Sequence, residues 1–91
     1  MQNDQGLSVA LAALAYVAAD ERALDRLMAE TGIGAEALRA RAAEPELLGA
    51  VLDFLFAEET LFLAFCRQEG LTPNQVIQAR ATLPGGPGDW A

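Results

Sequence analysis

Apolar residues along the chain fall into six short stretches, each bounded by a residue that starts or stops helices, and no run alternates as a half-buried strand would. The first stretch, Leu7 to Ala18, stops ahead of Asp20, whose short carboxylate suits the N-cap of a second helix that closes at Gly32. Gly34 opens a short third helix, expected over Ala35 to Ala43. Pro45 stands at the first-turn position that tolerates proline and starts a fourth, expected over Glu46 to Ala57. Glu58-Glu59-Thr60 reads as a break and restart into Leu61 to Glu69, with one bent helix over 46–69 as the alternative, and Gly70 closes that segment. Thr72-Pro73-Asn74-Gln75 has the form of a capping box with a first-turn proline, which predicts a last helix from Pro73 to about Leu83. The expected fold is all-α: a compact bundle of about six short helices forming a single helical domain over 7–83, with a flexible N-terminus over 1–6 and a flexible Pro/Gly tail over 84–91.

Sliding the chain against itself by 38 positions lays residues 9–43 over 47–81 without a gap. Ala12, Leu14, Ala19, Glu21, Gly32 and Ala43 then meet identical residues, and Tyr16, Asp20, Leu24, Leu27, Ile33 and Leu38 meet Phe54, Glu58, Phe62, Phe65, Leu71 and Val76. Identities alone are few, but the caps, the inter-helix glycine and the apolar positions share one register. That register suggests two pseudo-repeated three-helix units related by a pseudo-two-fold axis.

Composition narrows the chemistry. Of 91 residues, 53% are apolar, which gives the chain enough hydrophobic content to fold, and 13 acids against 6 arginines leave a net charge of -7. Histidine is absent and Cys66 is the lone cysteine, so the sequence offers neither a Cys/His metal set, nor a disulfide within the chain, nor a His-based triad. No catalytic residue, metal or cofactor is expected. The apolar run Leu7 to Ala19 is too short to span a bilayer and lacks the preceding positive charge of a signal peptide, and Leu47 to Cys66 carries Asp53, Glu58 and Glu59 near its centre. A cytoplasmic protein without membrane segments is the expectation.

Beyond these limits the sequence resembles a known family. The stretches LAALAYVAADERALDRLMAETGI and LGAVLDFLFAEETLFLAFCRQEGLTPNQVIQARATLPGG, with a VLDFL core, an acidic pair, a Gly-Leu turn and a Leu-Pro-Gly ending, resemble small alphaproteobacterial proteins grouped as domain of unknown function 3572. The resemblance covers nearly the whole chain and implies an all-helical cytoplasmic protein. That family has no assigned activity, so no catalytic position carries over.

Several residue groups admit a functional reading beside a structural one. Phe54, Phe56, Phe62 and Phe65 lie within 12 residues, and Leu61 to Cys66 is apolar in every helical direction. Such a helix is either surrounded by neighbours or keeps one face for a partner. With Leu52, Leu55, Phe62 and Phe65 pointing inward together, Phe56 and Leu63 are the candidate outward-facing residues, and Trp90 a candidate partner anchor. Asp53 lies on a face with Glu46, Gly49, Ala50 and Ala57, either as part of a solvent strip or bonded to a backbone amide or an arginine where a helix packs closely over Gly49. Asp20-Glu21 and Glu58-Glu59 read as helix-start acids, Arg22, Arg26 and Arg39 as partners of Asp25, Glu30 and Glu36 on their own helices, and Cys66 as a core filler. The spacing Cys66, Gly70, Val76 is that of a helix-turn-helix. Its second helix offers Asn74, Gln75, Gln78 and a single cation, Arg80, and neither half of the chain is basic, so nucleic-acid binding rests on Arg39, Arg41 and Arg80 gathering in space. The leading expectation is a non-enzymatic protein-protein interaction or adaptor module that engages a protein partner or a second copy as a homodimer; the alternative is a degenerate helix-turn-helix regulator.

Overall fold

A computed structural model describes residues 2–84, and among them six helices follow in order: α1 Gln2–Ala18, α2 Glu21–Thr31, α3 Ala35–Ala40, α4 Pro45–Ala57, α5 Glu59–Glu69 and α6 Pro73–Ala81. No strand occurs among the described residues. The caps follow the local chemistry: Asp20 accepts from the amides of Arg22 (3.0 Å) and Ala23 (3.3 Å), and Gly32 and Gly70 take the left-handed conformation at φ 73° and 69°. Thr72 accepts from the Gln75 amide at 3.1 Å while the Gln75 side chain accepts from the Thr72 amide at 2.8 Å, a complete capping box. Glu58, at φ -114° and ψ 81°, separates α4 from α5, so 46–69 is two helices.

Three boundaries differ from expectation. α1 begins at Gln2 rather than Leu7, running helix back through the stretch expected as a flexible lead. Tertiary packing explains this: Gly6 is buried where α1 crosses the end of α6, and a Cβ there would meet the Thr82 hydroxyl and lie 2.9 Å from the Ala79 carbonyl oxygen. α3 stops at Ala40, where Arg41 leaves helical backbone at φ -105° and ψ 15°, and Pro45 then holds Glu44 extended at ψ 127°. α6 ends at Ala81, where the Thr82 hydroxyl donates to the Ala79 carbonyl at 2.8 Å. The tail expected over 84–91 lies outside the described residues except for Pro84.

α4 is the central element. It packs against α1, α2, α5 and α6, and Leu47, Leu48, Val51, Leu52, Phe54 and Leu55 are buried along it. Ala10, Ala13 and Val17 of α1, Leu27 of α2, Phe65 and Cys66 of α5, and Val76 and Ala79 of α6 close around them. The radius of gyration, 12.1 Å, is about that of one folded domain of this length. Burial follows the 38-residue register in part: Val9 and Leu47, Ala10 and Leu48, Ala13 and Val51, Val17 and Leu55, Leu27 and Phe65, and Leu38 and Val76 are buried in pairs, whereas Leu52, Phe54 and Cys66 are buried opposite half-buried Leu14, Tyr16 and Met28. Packing does not follow it. A pseudo-two-fold would match the extensive α1–α6 contact with an α4–α3 contact and the α2–α4 contact with α5–α1, and neither counterpart is comparably formed.

The junction of α4 and α6 holds the one buried charged side chain among the described residues. Arg80 is 6% exposed, and its Nε and Nη2 donate to the two Asp53 carboxylate oxygens at 2.8 and 3.0 Å. Its Nη1 donates to the carbonyls of Leu83 and Pro84, both at 3.1 Å. Gly49 makes room for this fork, because a Cβ there would sit 3.0 Å from the guanidinium carbon. Asp53 is therefore the arginine-bonded residue of a close packing over Gly49, although its own side chain stays 52% exposed.

Two expectations follow for urea unfolding. Thr72→Ala, which opens the capping box, lowers stability by about 1 kcal/mol. Asp53→Ala strands a buried guanidinium and costs about 2 kcal/mol, and Arg80→Ala costs more because it also releases the two carbonyls; an Arg80→Ala variant as stable as wild type would remove the pair from the architecture.

Candidate functional site

The corner between α4 and α5 carries the residues singled out for interaction. Four residues before the end of α4, Asp53 faces α6, while Phe54 and Leu55 enter the core. Phe56 points elsewhere: it is half-buried and meets the half-buried Phe62 of α5 edge to face, with ring centroids 5.2 Å apart at 89°. Phe62 thus lies on the rim with Phe56 rather than inward with Leu52, Leu55 and Phe65, as its register had suggested. Phe65 is the inward aromatic of α5, its centroid 5.6 Å from that of Tyr16 on α1.

All-round apolarity therefore serves different ends in the two adjoining helices. α4 is enclosed by neighbours. α5 packs against α4 and α6, burying Phe65 and Cys66, while Leu61, Phe62 and Ala64 remain half-buried and Leu63 is 42% exposed. Phe56 and Leu63 are thus placed on or near the surface on the two sides of the corner, and Trp90 lies outside the described residues. Leu11 at 46% and Ile77 at 51% are exposed apolar residues that pattern reading missed. For Leu11 the signal was present, since α1 is apolar on more faces than one neighbour could cover; for Ile77, next to the buried Val76, nothing in the sequence set it apart.

Charged groups near this corner hold structure. Glu58 occupies the N-cap position of α5, yet its side chain makes no capping bond and instead accepts from Arg26 Nη2 at 2.9 Å, tying α2 to the corner. The expected same-helix pairs of Arg22, Arg26 and Arg39 are not among the ion pairs of the described residues, where Arg41 instead meets Glu44 at 2.8 Å. With Arg26 61% exposed, its bridge to Glu58 contributes under about 1 kcal/mol. No group of three or more His, Cys, Asp or Glu side chains among the described residues is placed to hold a metal ion.

The helix-turn-helix spacing is a packing unit. Cys66 and Val76 are buried, Gly70 supplies the left-handed turn, and the Leu71 amide donates to the Cys66 carbonyl at 2.9 Å. On the second helix, the Gln75 side chain closes the capping box and Arg80 lies beneath Asp53 and two carbonyls. The three arginines on which a phosphate contact would depend are thus reduced by one buried side chain and by Arg41, which faces Glu44.

Burial pushes the Cys66 thiol above its ordinary pKa. A raised thiol pKa favours the folded state fully below the unfolded value and loses that contribution as pH rises past it. Wild-type stability should accordingly fall more steeply above about pH 8.5 than that of Cys66→Ala, and maleimide should label the thiol at a rate that tracks unfolding. Rapid labelling of the native chain would place Cys66 at the surface.

No helix among the described residues is long and apolar enough to cross a membrane. No curated protein and no solved structure matches the chain. The model of one family, described as Protein of unknown function (DUF3572), covers residues 3–86, and the chain belongs to that family.

Proposed function

We propose that the protein is a non-enzymatic cytoplasmic interaction module that engages a protein partner, either another chain or a second copy, through the surface around Phe56 and Leu63. The observation that carries the reading is the half-covered state of α5, whose Leu63 stands 42% exposed beside a half-buried aromatic pair. A helix that served only the core would direct polar residues outward at those positions. The net charge of -7 keeps a chain with such a surface soluble and steers basic partners toward it. Binding to duplex DNA draws less support, because α6 brings a single arginine to a groove and that side chain is buried.

Leu63→Glu tests the surface with little effect on folding, within about 0.5 kcal/mol, whereas Phe56→Glu also breaks the contact with Phe62 and costs about 1 kcal/mol. Both variants should keep the helical circular dichroism of wild type, yet lose the stoichiometric protein, second copy or other, that wild type retains on a column at moderate salt. Retention that collapses with added salt and returns on desalting would point to nucleic acid instead. Global unfolding by Leu63→Glu would show the residue to be core, and unchanged retention would place the contact elsewhere.

A further inference from the structure

α5 turns two parallel ridges of side chains toward solvent. Glu59, Leu63 and Arg67 follow one another at steps of four and are exposed, and beside them run exposed Thr60, half-buried Ala64 and exposed Gln68. An apolar groove of about 260 Å³ between α1, α2 and α3 is open as well, but Arg39 is the one charged residue on its wall, and a single charge specifies no occupant. The ridges of α5 do specify one.

Their charges find no partner along the helix. Glu59 and Arg67 stand eight residues apart, about 12 Å along the axis. Three and four residues after Glu59 come Phe62 and Leu63, and three and four before Arg67 come Ala64 and Leu63, so neither has an opposite charge at pairing distance on α5. The ion pairs of the described residues involve neither of them. Reversing the helix about Leu63 exchanges Glu59 with Arg67, and reversing it about the adjoining Ala64 exchanges Thr60 with Gln68. The face is therefore complementary to itself when two copies run antiparallel: acid meets arginine, hydroxyl meets amide, and the exposed leucine lies at the centre beside an alanine that lets the backbones approach. A parallel pairing would set acid on acid and arginine on arginine. Self-complementarity of this kind is what a closed two-fold contact requires, and ridges at steps of four interdigitate with their like at a crossing of about −50°.

We propose that a second copy of this chain docks on α5, the two helices crossing antiparallel about a two-fold axis beside Leu63 and Ala64, with Glu59 of each copy against Arg67 of the other. The pairing presupposes the protein contact proposed for Leu63 and identifies its occupant. An 11-residue helix on each side offers less than the roughly 1,200 Å² of a standard stable interface, and two copies at -7 each repel at long range. The pair accordingly forms reversibly and depends on concentration.

Sedimentation of the full chain, at moderate salt and over a hundredfold concentration range reaching about 1 mM, should show a monomer–dimer equilibrium. Leu63→Glu should abolish the dimer. Glu59→Arg and Arg67→Glu each put like charges opposite one another twice per pair and should weaken dimerisation by about tenfold, with circular dichroism unchanged. Mixing the two charge variants in equal amounts should restore the wild-type constant, because an all-arginine ridge then faces an all-acidic one. A chain that stays monomeric throughout, or a dimer indifferent to both charge reversals, would overturn the second copy as occupant. Retention of a different protein on the column, lost with Leu63→Glu, would in that case preserve the broader interaction reading, whereas dimer and retention both untouched by Leu63→Glu would overturn the two together.

Discussion

The fold turns on a guanidinium laid across a glycine. Burying Arg80 is favourable only because each face of its fork finds an acceptor: Asp53 takes two bonds, and the carbonyls of Leu83 and Pro84 take the others. Those acceptors can be reached only because Gly49 has no side chain, so α6 and the residues after it settle directly onto α4. Asp53 keeps half its surface in water, which lowers the desolvation cost of the pair relative to one sunk wholly in the core. A second glycine adds to the clamp. Gly6 lets α1 cross the Ala79–Thr82 end of α6 at backbone distance, so a helix of nine residues is gripped by both of the long apolar helices.

Features decided within four or five residues could be read from the sequence. Asp20, the Thr72–Gln75 box, Pro45 at the head of α4 and the two left-handed glycines all act on backbone groups of their own turn, so type and spacing were sufficient. Features decided across helices were not. Nothing local tells α1 to begin at Gln2; its early start depends on α6, seventy residues on. Nothing local sends Glu58 to Arg26 rather than to its own amides. Asp53 was legible as far as two alternatives, and the deciding residue, Arg80, had no sequence mark beyond being the lone cation of its helix. Gly49 inside an otherwise apolar helix was the clearest available sign of a close approach. As for the candidate surface, Leu63 was legible as one apolar residue too many, whereas Phe62 on the rim and the exposure of Ile77 depend on how α5 and α6 rotate against α4.

The two halves show how similar sequence patterns reach unequal structures. Six buried positions coincide in register, but Gly49, Leu52, Phe54, Cys66, Ala79 and Arg80 are buried opposite residues that are not, so the second half carries the larger share of the core. The asymmetry enters through the third helix of each half. α6 has the capping box, the buried arginine and a glycine opposite it on α4. α3 has six residues, no side-chain cap and one buried leucine. Where the first half has Ala42 and Leu11, the second has Arg80 and Gly49, and these differences, with the capping box, anchor α6 against the core.

This inequality separates a rigid part from a receptive one. α1, α4 and α6 share the most extensive contacts and the close glycine crossings, so opening them requires breaking the buried ion pair and the core together. α3 and α5 each give the core a narrower face, and they border the apolar surface left uncovered: the groove beside α3, and Leu63 with the Phe56–Phe62 pair beside α5. Both apolar features thus lie at the margins of a frame held by the buried ion pair and the close glycine crossings. A surface that engages another segment gains from such a frame, since the frame limits how much conformational freedom binding must remove.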